Sequence, residues 1–283
     1  MSDNQPIKGG EFIIRDTAPK DIFTPEEFTE EHKMIASMCE DFILQEIIPH
    51  LDRIDSLEEG LMPSLLKKAG ELGLLGLSVP EEYGGMGVDF KTTLLATEYL
   101  GLGFSFSVAY GAHTGIGTLP LLYYGNDEQK NKYVAKLASG EWAAAYCLTE
   151  PGAGSDANSG KTKAELSSDG THYSITGQKM WITNGGFANL FTVFAKIEDD
   201  ENLTAFLVEA DSEGISLNPE EKKMGIKGSS TRQVFFNNVK VPVENMLSER
   251  GNGFKIALNI LNIGRIKLGA AVMGEPKVEL TNL

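Results

Sequence analysis

The chain has 283 residues, 41% of them hydrophobic, and a formal net charge of -15. That length suffices for one large domain or two ordinary ones, each with its own core. The acidity argues against a nucleic-acid partner, because the longest basic cluster is only Lys222-Lys223, with Lys227 and Arg232 nearby.

The opening stretch, Met1-Ser2-Asp3-Asn4-Gln5-Pro6, has neither the basic nor the apolar region of a secretory signal. Helical texture follows to about residue 140. Thr24-Pro25-Glu26-Glu27 has the pattern of a helix start, with Thr24 as N-cap and Glu27 placed to cap back. Ile35, Met38 and Phe42 continue it as an apolar stripe. A second helix is expected over 62–74, with Leu65, Leu66 and Leu72 inward. Gly84-Gly85-Met86-Gly87 is a loop. Helices are expected over 91–100 and over 106–119, the latter interrupted by glycines. Asn126-Asp127-Glu128-Gln129 caps another, running to about Leu137.

From about residue 142 the texture becomes strand-like, with runs at 143–149, 162–166, 172–176, 190–197, 203–209 and 233–241. Turn signals at Ser168-Asp169-Gly170, Asn184-Gly185-Gly186 and Asp199-Asp200-Glu201-Asn202 separate them. This spacing predicts a small antiparallel barrel or sandwich. After Gly251-Asn252-Gly253 a helix is expected over 254–273, stopped by Gly274-Glu275-Pro276. It is apolar on several faces, so partners are expected on most sides. No run of about 18 apolar residues is found, and no membrane span is expected.

Cys39 and Cys147 are too far apart in sequence to suggest a disulfide framework or metal spacing. The four histidines, His32, His50, His113 and His172, show no ligand spacing either. A cytoplasmic setting without a metal is expected.

Two stretches carry chemistry. In Tyr146-Cys147-Leu148-Thr149-Glu150-Pro151-Gly152-Ala153-Gly154-Ser155-Asp156, an apolar strand runs into a Gly-rich turn that ends in a hydroxyl and a carboxylate. A dinucleotide fold would need a third glycine in register and a following helix, and neither is present. Backbone N–H groups and the Ser155 hydroxyl could still serve a diphosphate, although spacing alone leaves a plain β-turn equally open. In Trp181-Ile182-Thr183, an aromatic ring and a hydroxyl suit a flat ring system, or Trp181 simply packs the sheet.

Motif order decides between these readings. Gly76-Leu77-Ser78-Val79-Pro80-Glu81-Glu82-Tyr83-Gly84-Gly85, the Tyr146–Asp156 stretch, Gly177-Gln178-Lys179-Met180-Trp181-Ile182-Thr183-Asn184-Gly185, Val239-Lys240-Val241-Pro242, and Gly253-Phe254-Lys255 leading to Asn262-Ile263-Gly264-Arg265 follow in one order. This resembles the acyl-CoA dehydrogenase family of flavoproteins over nearly the whole chain. Lys222-Lys223-Met224-Gly225-Ile226-Lys227 and the last helix look most like the very-long-chain type.

The resemblance implies an α+β multidomain fold: an N-terminal all-α helical domain (1–141), a middle antiparallel β-barrel or sandwich domain (142–250), and one helix (251–283) of a truncated C-terminal bundle. It implies FAD, and α,β-dehydrogenation of a medium to very long chain fatty acyl-CoA to the trans-2-enoyl-CoA. A glutamate takes the α-proton, the β-hydride goes to flavin N5, and electrons leave to electron-transfer flavoprotein. By motif, Tyr146, Leu148 and Thr149 line the flavin, Gly154 and Ser155 sit at the pyrophosphate and the start of the CoA path, and Trp181, Ile182 and Thr183 cover the ring. Asn262 and Arg265 face the CoA, unless they form a polar face and a helix cap. His113 lies in the helix that walls the acyl cavity in this family. A core histidine is the favoured reading of it, with the glycines around it leaving room for a long chain.

The usual catalytic glutamate has no counterpart here. Gly264 stands where some relatives carry their base, and neither Glu150 nor Glu275 suits that role. The chain is therefore expected to be inactive alone. It is either part of a dehydrogenase that is a homo-oligomer at full length, or a non-catalytic flavin- or acyl-CoA-binding fragment or assembly module. An oxidase or flavin monooxygenase on the same fold is a further alternative.

Overall fold

The computed structural model describes residues 10–281, with side chains described as far as residue 274. Residues 1–6, where no secretory signal is expected, and the Glu275 side chain lie outside the described residues.

Helices come first: α1 (Glu30–Phe42), α2 (Leu51–Asp55), α3 (Leu61–Glu71), α4 (Phe90–Leu100), α5 (Ser105–Gly111), α6 (Leu119–Tyr124) and α7 (Asp127–Ala138). The Thr24 capping box forms but opens only a 3-10 turn, Pro25–Glu27. Phe28 then takes extended dihedrals (φ -63°, ψ 124°), and α1 starts from a second box, Thr29 with His32. Leu65 and Leu66 are buried as expected, but Leu72 is 49% exposed, because α3 ends at Glu71 and Leu72 no longer follows its face. The glycines expected to interrupt the next helix lie instead in and beside a π-helical segment, Ala112–Gly117, between α5 and α6. Asn126 and Gln129 cap each other at the start of α7, as the sequence indicates.

The strands are β1 (Ala144–Cys147), β2 (Lys163–Leu166), β3 (His172–Thr183), β4 (Leu190–Ile197), β5 (Thr204–Glu209), β6 (Ile215–Leu217), β7 (Thr231–Pro242) and β8 (Met246–Leu247). They form one sheet in the order β6-β7-β3-β2-β4-β5-β8, with β1 also on β4. The sheet is mixed rather than wholly antiparallel: β1 and β2 both run parallel to β4. They share its edge, β1 pairing as far as Val193 and β2 joining at Lys196. β3 runs seven residues beyond the expected Thr176, and its register on β7 shifts between Lys179 and Ile182. Such a shift turns successive side chains to unexpected faces.

One further helix, α8 (Gly253–Thr281), packs back onto α4, α5, α6 and the π-helical segment. It runs past Gly274-Glu275-Pro276 rather than stopping there. An interior proline removes one N–H from the helical ladder and its ring crowds the carbonyl four residues back, yet the helix continues to Thr281. By length and composition alone, residues Gly253–Gly274 are long and apolar enough (mean hydropathy 1.4) to cross a membrane. The helix nonetheless carries Lys255, Arg265 and Lys267, and it packs directly on protein. Ile256, Ala257 and Ile260 are fully buried, whereas Ile266, Leu268, Val272 and Met273 are exposed.

Two glycines set the contact between α8 and α4. A Cβ on Gly101 would lie 2.1 Å from the Ala271 carbonyl oxygen, and one on Gly274 would lie 2.2 Å from that of Glu98. Gly101→Ala should therefore push α8 away and cost about 1–3 kcal/mol, measured by denaturant unfolding.

Candidate functional site

The chemistry-bearing turn leaves the sheet at the end of β1. Tyr146 is buried, its ring edge-on to Phe194 at 4.9 Å, and its hydroxyl has no partner among the described residues. Leu148 is buried and Thr149 half-buried. The turn closes on itself through reciprocal bonds between Glu150 and Ala153, both 3.1 Å. Gly154 and Ser155 are exposed, and a Cβ on Gly152 or Gly154 would meet nothing within 4 Å. The protein itself does not demand glycine there, so the free space faces outward.

β3 supplies the facing stretch. At the register shift, Met180 and Trp181 oppose Gln233 alone. Trp181 takes a left-handed conformation (φ 61°) and is 55% exposed. A bulky residue there is a backbone outlier of the kind found at functional sites. Ile182 goes the other way. At 1% exposure it packs in the sheet core, so its side chain is turned away from the surface that Trp181 occupies. The Met180 N–H donates to the Thr149 carbonyl at 2.8 Å, bringing the two motifs side by side.

Thr183 opens onto a cavity of about 380 Å³ between α4, α5, the π-helical segment and α8. Its walls include Val108, Gly111, Gly115, Leu261, Gly264 and Leu268, and none of its lining residues is a carboxylate. A Cβ on Gly111 or Gly115 would meet nothing within 4 Å, so these glycines add room. π-helical segments recur at such sites. Arg265 lines this cavity and donates to Asn262 Oδ1 at 2.5 Å, but Asn262 itself lies outside the lining. Lys267, half-buried in the same wall, has its ammonium drawn down to about 8 by burial.

His113 is not in this cavity. Its Nε2 donates to the Leu137 carbonyl at 2.9 Å, and its Nδ1 accepts from the Ala144 N–H at 3.0 Å. It is thus a neutral core histidine joining the π-helical segment to α7 and β1. Burial holds it down to about 4.

Sequence reasoning missed the role of Lys179. It is fully buried and donates to Glu150 Oε1 (2.7 Å), the Leu148 carbonyl (3.2 Å) and the Phe194 carbonyl (2.6 Å). Glu150 also accepts from the Lys161 and Thr162 N–H groups at 2.6 and 3.1 Å. Burial pushes the Glu150 carboxyl up, but the Lys179 charge and these bonds outweigh it and hold it below its ordinary value. An ionised, fully engaged carboxylate is no proton acceptor, which agrees with setting Glu150 aside as a base. The available signal was a lysine leading into the apolar Met180-Trp181-Ile182, with a single glutamate inside the other motif.

Two family models match the chain: the N-terminal domain of acyl-CoA dehydrogenase over residues 29–141 and its middle domain over 145–239. A probable acyl-CoA dehydrogenase of Bacillus subtilis (strain 168) is 54% identical over 270 residues, covering 95% of this chain and 45% of that protein. The mitochondrial very long-chain specific acyl-CoA dehydrogenase of Homo sapiens is 46% identical over 232 residues, covering 79% of this chain and 35% of that protein. Among solved structures, the acyl-CoA dehydrogenase of Bacillus anthracis complexed with FAD superposes with a TM-score of 0.91. It is 53% identical, and the match covers 95% of this chain and 46% of that one. The chain thus spans less than half the length of these three proteins. Helices, mixed sheet, paired motifs and both matching domain models agree that this chain belongs to the acyl-CoA dehydrogenase family.

Proposed function

We propose that this chain forms the flavin-facing half of an FAD-dependent dehydrogenase acting on fatty acyl-CoA thioesters, forming the trans-2-enoyl product and passing electrons to an electron-transfer flavoprotein. The observation that carries this reading is the junction of Thr149 and Met180. It ties the residue before an exposed, left-handed Trp181 to the segment that leads into the Gly152–Gly154 turn, and Thr183, at the cavity, follows in the same strand. These residues suit a flat ring with a phosphate tail: main-chain donors and open glycines for the polar parts, and an aromatic face for the ring. When bound, the flavin would supply the acceptor for the two electrons leaving the acyl chain. The chain's own residues would hold the ring edge, seat the apolar tail between α5 and α8, and exclude water from it. No carboxylate lines the cavity, so the group that takes the α-proton is proposed to come from outside the described residues. The same observation keeps a non-catalytic flavin- or acyl-CoA-binding module as the second reading. Both cysteines are unpaired and buried, which supports a reducing, cytoplasmic setting.

Titrating the purified protein with FAD, then adding long-chain acyl-CoA without oxygen, tests the proposal. Saturable FAD binding, an acyl-CoA-dependent change in the visible band and no rapid bleaching are expected. Failure to bind FAD overturns the reading, and bleaching at an enzymatic rate overturns the placement of the base. Gly115→Leu should fill part of the cavity and weaken the response to long-chain acyl-CoA while sparing short chains, since even one methylene in an apolar pocket is worth about 1–3 kcal/mol. The chain-length series of spectral titrations reads this directly.

A further inference from the structure

Where β1 leaves β4 after Val193 and before β2 arrives at Lys196, the edge of β4 has a gap. The Lys179 ammonium donates to the Phe194 carbonyl in that gap, to the Leu148 carbonyl beside it, and with its third N–H to Glu150. All three of its donors are used. A buried ion pair is a weak route to stability, because desolvation offsets the attraction and apolar side chains of like volume often do as well. Its place, beneath the two stretches that form the candidate flavin wall, calls for a positional reason.

We infer that the Glu150–Lys179 pair is a positioning element of the flavin site, orienting the Leu148–Thr149 peptide so that the Thr149 N–H faces outward as a donor to the polar edge of the ring. The peptide is planar and trans. With the Leu148 carbonyl held inward by Lys179, the N–H of Thr149 points the opposite way. The next peptide is held as well, because the Thr149 carbonyl accepts from Met180 N–H. Thr149 is therefore clamped on both sides by consecutive residues of β3, immediately before Trp181. A cation on the carbonyl also polarises the peptide and strengthens its N–H as a donor in a low-dielectric setting. Burial draws the Lys179 ammonium below its ordinary value, and the Glu150 carboxylate beside it opposes that and favours the charged form. Neither residue touches the ring. Both act through the Leu148–Thr149 peptide.

This inference rests on the flavin reading above, and the experiment separates the two. FAD affinity, the flavin visible spectrum and the flavin reduction potential are compared between the protein and Glu150→Gln, with folding followed by far-UV circular dichroism. The glutamine keeps size and an acceptor but removes the charge. A folded Glu150→Gln protein should bind FAD on the order of tenfold more weakly, the worth of one hydrogen bond to a charged group. Its potential should fall and its visible band should shift. Glu150→Asp, which withdraws the charge by one methylene, should move all three the same way by less, and it serves as the reading if Glu150→Gln does not fold. A folded variant that matches the unaltered protein in affinity, spectrum and potential overturns the inference and leaves the flavin reading standing. An unaltered protein that takes up no FAD overturns the flavin reading, and the inference with it.

Discussion

Lys179→Met is expected to lower the free energy of unfolding by about 3–5 kcal/mol, the cost of stranding a buried charge when its partner is removed. The lysine is fully buried and the Glu150 carboxylate is 7% exposed. Methionine fills similar volume, so the loss reads the charge rather than a cavity. It also leaves the Leu148 and Phe194 carbonyls without a donor that the structure provides at 3.2 and 2.6 Å. Adding Glu150→Gln to Lys179→Met removes the stranded charge while keeping an acceptor for the Lys161 and Thr162 N–H groups. The double variant should recover more than half of the loss, as non-additivity between contacting residues requires. Urea unfolding of the four proteins closes this cycle. A single-variant cost below about 1 kcal/mol would show that water reaches the pair.

His113→Ala should cost about 2–5 kcal/mol, because it strands the buried Ala144 N–H and Leu137 carbonyl and opens a void. The same residue predicts a pH dependence. In the folded state burial depresses the imidazole from 6.5 to about 4, so folding favours the neutral ring. Between those values the unfolded chain binds the extra proton. The stabilisation is therefore complete above about pH 6.5 and falls as pH drops toward 4, by up to about 3 kcal/mol. Stability measured across that interval should slope upward with pH. His113→Gln, which offers an amide donor and acceptor without titrating, should flatten the slope. An unchanged slope in a folded His113→Gln protein would mean that other groups set it.

Much of the fold was legible because local signals and tertiary outcome agreed. Asn126 with Gln129 caps α7, Ile35 and Phe42 are buried on one face of α1, and β4 lies where its β-branched and aromatic run placed it. Legibility failed where a neighbour decided. Leu72 belongs to an apolar stripe by spacing, yet it stands past the end of α3 and is exposed. The expected stop at Gly274-Glu275-Pro276 was local and was overridden along α8. The extension of β3 from Thr176 to Thr183 depends on pairing with β7, a partner some fifty residues away that no window of sequence contains.

The candidate site divides in the same way. By itself the sequence identified the family and the two motifs, because residue types in a fixed order survive without knowledge of geometry. It also limited Gly264 to a backbone role, since glycine carries no side-chain base. Only the tertiary structure decided which motif residues face outward. The register shift in β3 turns Trp181 to the surface and Ile182 into the core, although the two are adjacent in sequence. Only the structure joined Glu150 to Lys179, 29 residues apart, by bringing the end of β1 and the bulge of β3 to the same gap on β4. The reason is physical: spacing along a chain determines which residue types recur on one face of an element, whereas burial, partner and direction depend on what packs against that face.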